Sequence, residues 1–108
     1  MIQRGDIRWF RFQWPDKRRP VLVVGNEAAL PSLAQVPVIP LSTQARGLRW
    51  EVALSPADGL PSPCVLKPEW LRPVDRGLLG PRIAGYPPER WDEVRRAVLL
   101  FLGFEPER

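Results

Sequence analysis

The chain contains no histidine. That absence removes imidazole as general acid, general base and metal ligand together, so a histidine-dependent hydrolase is excluded. A single cysteine, Cys64, leaves no internal disulfide and no thiolate cluster. The carboxylates are scattered singly among basic residues and not gathered as hard-cation ligands would be, so neither a metal nor another cofactor is expected. The patterns GxxxxGK(S/T), GxGxxG and GxSxG are all missing, which leaves nucleotide-binding loops and the nucleophile elbow without support. No run approaches the roughly 18 apolar residues of a membrane span. The segment MIQRGDIRW has no apolar core of signal-peptide length, and a cytoplasmic protein is expected.

What is present fits one small β domain. A length of 108 residues suits a single domain over 1–108, built as a barrel or sandwich. Sixteen Lys and Arg against 12 Asp and Glu give a net charge of +4, which favours an acidic partner such as nucleic acid or an acidic protein tail. The most strand-like run is RRPVLVVGN, Arg18 to Asn26, where a basic doublet leads straight into β-branched residues. A strand from Pro20 to about Gly25 puts Arg19 at its mouth. A guanidinium there suits a phosphate clamp, because its planar fork donates two parallel hydrogen bonds and never loses its charge. The alternative is that Lys17, Arg18 and Arg19 form only a solvated loop edge.

Along the chain, Asp6 to Phe12 reads as a first strand and Asn26 to Gln35 as a loop with little regular structure. Between Gln13 and Arg19, Trp14 offers an aromatic face among cations, either to stack a base or to lid the barrel end. Val36 to Leu41 (VPVIPL) reads as an edge strand or bulge because of its prolines. It delivers Ser42, Thr43 and Gln44 to a strand end, where the hydroxyls can serve a turn or donate to a phosphate. Arg49 to Leu54 alternates as a strand with Trp50, Val52 and Leu54 on one face, and Asp58-Gly59 signals a hairpin. Cys64 to Leu66 and Trp70 to Val74 read as returning strands. From Asp75 to Pro88 the chain is punctuated by Gly and Pro. Glu89 to Leu102 then takes helical period, with Trp91, Val94, Val98, Phe101 and Leu102 as its apolar stripe and Gly103 as its stop.

These motifs, in this order, resemble the MazF/PemK toxins of bacterial type II toxin-antitoxin systems over nearly the whole chain. The carriers are RGDI at Arg4 to Ile7 followed by Trp9 and Phe12, RPVLVV at Arg19 to Val24 with Asn26, and PLSTQARGLRWEVAL at Pro40 to Leu54. The last is similar to the family's P-x-(S/T)-x-Q segment running into an E-V-x-L strand. LRPVD at Leu71 to Asp75 is similar to the family's IRTVD.

The resemblance implies a mainly β, SH3-like barrel of the CcdB/PemK type with a C-terminal helix, usually a homodimer. It implies a metal-independent endoribonuclease on single-stranded RNA, in which the ribose 2′-OH attacks the adjacent phosphodiester and leaves 2′,3′-cyclic phosphate and 5′-OH ends. Arg19 matches the family's catalytic arginine before proline, and Ser42 its catalytic Thr or Ser position, with Thr43 beside it. Trp14, Asp16, Lys17, Arg18, Gln44, Arg46 and Arg49 are the expected RNA-binding residues. A cognate acidic antitoxin is expected across Lys17, Arg18, Arg19, Arg46 and Arg49.

Two departures stand out. WPDKR at Trp14 to Arg18 replaces a longer Glu-bearing loop, and Glu69-Trp70-Leu71-Arg72 replaces the family's DQIR, so Trp70 either contacts a base or belongs to barrel core or dimer interface. The CcdB toxins, which share the fold but bind DNA gyrase, are a second possibility, although their Trp-Gly-Ile ending is absent here. A catalytically inactive SH3-like binding module is a third.

Overall fold

A computed structural model describes residues 1–13 and 17–105. Within them, seven strands precede one helix: β1 (Asp6–Arg11), β2 (Arg18–Val23), β3 (Gln35–Ser42), β4 (Val52–Leu54), β5 (Cys64–Leu66), β6 (Arg72–Asp75), β7 (Arg82–Gly85) and α1 (Trp91–Leu102). The strands pair in the order β4-β5-β3-β2-β1-β7, all antiparallel, with β6 also on β3. The sheet curls into a small half-barrel closed off on one side by α1, the architecture that the family resemblance implies.

β2 shows why the run after Pro20 is apolar without alternation. Leu22 packs into one cluster with Ile7, Ile39, Leu41 and Leu66, covered by Val94 and Ala97 of α1. Its neighbours Val21 and Val23 point to the opposite face, into a second cluster with Phe10, Phe12, Val36, Val38 and Leu30. A strand buried on both faces loses its polar positions, and each such side chain contributes about 1.5–3 kcal/mol of transfer free energy.

The prolines of β3 mark a switch of partners, and the strand is central where an edge was expected. Gln35 to Val38 pair with β6, whereas Leu41 and Ser42 pair with β5. Pro40 falls in the gap between the two partners. Its missing donor breaks no ladder bond there, and its carbonyl accepts from the Lys67 N–H at 2.9 Å.

Other boundaries shift for identifiable reasons. β2 begins at Arg18, with Arg18 and Arg19 opposite Arg11 and Phe10, so Arg19 lies inside the strand and not at its mouth. The Trp9 N–H bonds to the Pro81 carbonyl, on the side away from β2, and Pro20 opposite Trp9 therefore costs that pairing no hydrogen bond. Asn26 to Gln35 is more ordered than expected: the Asn26 Oδ1 accepts from the Ala28 and Ala29 N–H groups and leads into a 3₁₀ turn over Leu30–Ser32. Only Val52–Leu54 of the expected Arg49 to Leu54 strand is extended, because the Glu51 carboxylate folds back onto the preceding loop. The Asp58-Gly59 signal does join antiparallel partners, β4 and β5, through a 3₁₀ turn capped by Ser55.

Trp70 lies in a 3₁₀ turn, Pro68–Trp70, and not in a strand, so that β6 starts only at Arg72. β7 was not expected at all; it forms against β1. α1 starts at Trp91 after a 3₁₀ turn over Pro88–Arg90, and Ala97 replaces Leu102 in its buried stripe, Leu102 being exposed. Among the described residues no helix is long and apolar enough to cross a membrane.

Candidate functional site

Strands β1, β2 and β3 end beside one another at one side of the sheet, and a cleft of about 400 Å³ opens there. Lys17, Arg18 and Arg19 line it from β2 and its approach. Ser42, Thr43 and Gln44 line it from the end of β3, and Trp9 from β1. Trp70 and Cys64 complete it with Pro61 and Ser62. The basic run and the hydroxyl pair, 23 positions apart between Arg19 and Ser42, thus share one cleft because β2 and β3 are hydrogen-bonded neighbours.

Each wall is held in place. The Gly80 N–H donates to the Trp9 carbonyl at 2.8 Å, and a Cβ on Gly80 would lie 2.9 Å from that oxygen, so only glycine lets the chain pass so close to β1. Arg18 stacks its guanidinium over the Trp9 ring, 4.3 Å from the centroid. The Arg19 guanidinium is half-buried, 5.2 Å from the Trp70 centroid and 5.8 Å from that of Phe12. Both contacts fall within the range at which a cation is attracted to a ring face. The Ser42 Oγ accepts from the Gln44 N–H at 3.1 Å, the turn role expected of it, and its own O–H can still donate outward. Burial raises the Cys64 thiol to about 11, with the charge of Asp58 adding to the shift, so the sulfur on the cleft wall is a neutral thiol.

Beyond Trp70 a second cleft of about 530 Å³ continues the first, sharing Arg19 and Trp70 and adding Phe12, Leu71 and Arg72. Trp70 is 37% exposed and belongs to neither core cluster, which removes the barrel-core alternative for it. Arg46 and Arg49 do not line the first cleft; Arg49 faces a separate groove beside α1, with Arg96 and Glu51. Trp14 and Asp16 lie outside the described residues. Among those described, no three His, Cys, Asp or Glu side chains are grouped to hold a metal ion.

Sequence reasoning overlooked what supports Trp70. Lys67, 1% exposed, pairs with Glu51 at 2.5 Å and Glu69 at 3.3 Å, and Glu69 also accepts from the Trp50 Nε1–H at 3.1 Å. Burial alone would push the Glu51 carboxyl up. Hydrogen bonds from Lys67 and from the Arg46 and Leu48 N–H groups outweigh it and hold the group below the usual carboxylate range. The available signal was a lone lysine inside the otherwise apolar run CVLKP, with glutamates at 51 and 69 to neutralise it.

Over residues 3–102 the chain matches the family described as PemK-like, MazF-like toxin of type II toxin-antitoxin system. It is 43% identical over 51 residues to Endoribonuclease MazF3 of Mycobacterium tuberculosis, a match covering 47% of this chain and 50% of that protein. The chain thus spans about half the length of the curated relatives it matches. Its fold is similar to that of Mycobacterium tuberculosis toxin MazF-mt6, with a TM-score of 0.84 at 27% identity over 94% of this chain and 99% of that one. It is also similar to a chain in a MazE-MazF structure from Deinococcus radiodurans, with a TM-score of 0.76 at 25% identity over 96% and 97% of the two chains.

Proposed function

Because the chain belongs to the PemK-like, MazF-like toxins of type II toxin-antitoxin systems, we propose that it is a metal-independent endoribonuclease that cuts single-stranded RNA at a short motif. The observation that carries this reading is the shared cleft, in which Arg19 meets Ser42, Thr43 and Gln44. A phosphodiester seated there receives the Arg19 fork on its non-bridging oxygens and a hydroxyl donor from Ser42 or Thr43. Attack by the neighbouring 2′-OH adds negative charge to those oxygens, and donors fixed beforehand stabilise that charge more than they stabilise the ground state. The RNA supplies its own nucleophile, so neither histidine nor a protein nucleophile is needed. An arginine keeps its proton, and its part is electrostatic. As the O2′–P bond forms the P–O5′ bond breaks, the 2′-OH gives its proton to solvent water and the departing 5′ oxygen takes one from it, so the products are a 2′,3′-cyclic phosphate and a 5′-OH.

Lys17, Arg18 and Gln44 line the cleft together with the exposed ring of Trp70, and an RNA strand running through it meets both cations and an aromatic face. Trp14 and Asp16, three and one positions before Lys17 in sequence, belong to the same RNA-binding reading, and Arg46 and Arg49 add charge outside the cleft. Stacking on tryptophan reads single-stranded bases, each stacked base being worth about 1–3 kcal/mol. The protein acts in the cytoplasm as a homodimer and is held inactive by an acidic antitoxin laid across Lys17, Arg18 and Arg19 and reaching Arg46 and Arg49 outside the cleft. That partner is supported by the cationic cleft and by the MazE-MazF assembly of the Deinococcus radiodurans relative.

Incubating the purified chain with a long unstructured RNA in EDTA tests the reading. Discrete cuts are expected. Intact RNA together with inhibited gyrase supercoiling would replace the nuclease with a CcdB-like poison, and intact RNA with normal supercoiling would leave a binding module.

A further inference from the structure

Lys67 is 1% exposed, and a buried ion pair is weak evidence of a contribution to stability. Taking the Lys67 ammonium and the Glu51 carboxylate out of water is expensive, and apolar residues of the same volume are commonly as good or better for the fold. Its connections point elsewhere. The Lys67 N–H holds the Pro40 carbonyl, two residues before Ser42, and its own carbonyl accepts from the Trp70 N–H at 2.8 Å. The ammonium lies 5.3 Å from the Trp70 centroid, while Arg19 lies 5.2 Å from it. Through Glu51, whose carboxylate takes the Arg46 and Leu48 N–H groups at 3.1 and 3.2 Å, it also fixes the loop that follows Thr43. Glu69 adds the link to the Trp50 indole, whose ring packs edge-on against Phe101 of α1. Lys67 therefore joins these parts in two ways: its backbone ties the strand end bearing the hydroxyls to the turn carrying Trp70, and its ammonium, through Glu51 and Glu69, ties the loop beyond Thr43 and the Trp70 ring to the helix.

We propose that Lys67, held between Glu51 and Glu69, is a positioning residue that locks Trp70 and the Thr43–Arg49 loop into one geometry and thereby determines which base the enzyme accepts beside the scissile phosphate. The proposal rests on the nuclease reading above. It differs from a purely structural role in its consequence: loosening the network lowers discrimination between RNA sequences, and does so through Trp70.

The test is a double-mutant cycle on cleavage. Lys67→Met removes the cation shared by the Glu51 carboxylate and the part-buried Glu69 carboxylate and can unfold the chain. Glu69→Gln is therefore the working variant, since it keeps the volume and an acceptor for Trp50, leaves the Lys67–Glu51 pair in place, and removes the charge that links Lys67 to the Trp70 turn. Folded Glu69→Gln protein, checked by circular dichroism, is expected to lose about tenfold in kcat/KM on the preferred sequence, with much less loss on poor ones, so that the site ranking flattens. Glu69→Gln combined with Trp70→Ala is expected to be no worse than Trp70→Ala alone, because both act through one ring. An equal loss on every sequence, or losses that multiply in the double variant, would overturn the proposal and leave the network structural. If the wild-type chain cuts no RNA, the nuclease reading and this proposal fall together; if it cuts and Glu69→Gln leaves its ranking intact, this proposal alone falls.

Discussion

Asp6→Asn tests how the β1 wall of the cleft is held. The Asp6 side chain is 6% exposed and accepts from the Gln3 N–H at 3.0 Å, the Arg8 Nε at 3.1 Å and the Arg82 Nε at 3.1 Å. Arg82 is 55% exposed, and its bond is screened enough to count for little. Arg8 is 15% exposed and also donates to the Gly80 carbonyl, so its ion pair with Asp6 fixes the segment that grips Trp9. Two charge-assisted bonds at about 1–1.5 kcal/mol each give an expected loss of about 2–3 kcal/mol, or roughly 10–20 °C in Tm for a domain of this size.

Burial pushes the Asp6 carboxyl up, but the hydrogen bonds from Gln3, Arg8 and Arg82 outweigh it and hold the group below its ordinary value of 3.8. A depressed carboxyl stabilises the fold above the unfolded value and loses that contribution as pH falls through the folded one. Urea unfolding followed by tryptophan fluorescence should therefore show the full gap between wild type and variant near about pH 7, closing only below about pH 4. A gap under about 0.5 kcal/mol, within the range of an ordinary surface change, or one that does not close in acid would refute the assigned role of Asp6.

Arg19→Ala should stay folded, since Arg19 is outside both apolar clusters, and should cut roughly 10²- to 10³-fold more slowly; Arg19→Lys should recover only part, lacking the fork. Near-wild-type cutting by folded Arg19→Ala would remove it from the chemistry. Replacing Ser42 and Thr43 together by Ala should lower the single-turnover rate, and an unchanged rate would return both to the turn that Ser42 makes with Gln44. The raised Cys64 thiol, at about 11, leaves it protonated at neutral pH, so alkylation of the folded protein should be about 100-fold slower than in urea and should keep rising about tenfold per pH unit up to that value, where the rate in urea has already levelled off. Equal rates in the two states would show that the cleft wall is open to solvent at sulfur.

What could be read from sequence was whatever local chemistry dictates without help from a distant partner. The α1 stripe follows from period alone, β2 from its β-branched density, and β5 from an apolar run placed as the return after the Asp58-Gly59 signal. β7 was invisible because Arg82–Gly85 holds a single strong β-former, Ile83, and extends only because β1 offers an edge. β3 looked like an edge because Pro37 and Pro40 remove donors; its central place depends on where β6 gives way to β5, which no local signal encodes. The alternation that suggested a strand from Arg49 was overridden by Glu51 folding back onto the Arg46 and Leu48 N–H groups. At the cleft, Lys17 to Arg19 and Ser42 to Gln44 could be paired from motif order. The Lys67 network could not, since a lone lysine after an apolar run reads as the end of a strand until the two glutamates are seen around it.

A single 2′-deoxy substitution decides whether this cleft uses the nucleophile of the RNA itself. An oligonucleotide carrying one mapped cut site is made with and without deoxyribose at the nucleotide 5′ to the scissile phosphate, and both are incubated with the wild-type chain in EDTA. The all-ribose strand should be cut to a 2′,3′-cyclic phosphate and a 5′-OH end, and the substituted strand should bind with comparable affinity and remain whole. Cleavage of the substituted strand at the same bond, or a requirement for added divalent metal, would contradict a mechanism in which Arg19 and the Ser42–Thr43 hydroxyls only stabilise charge.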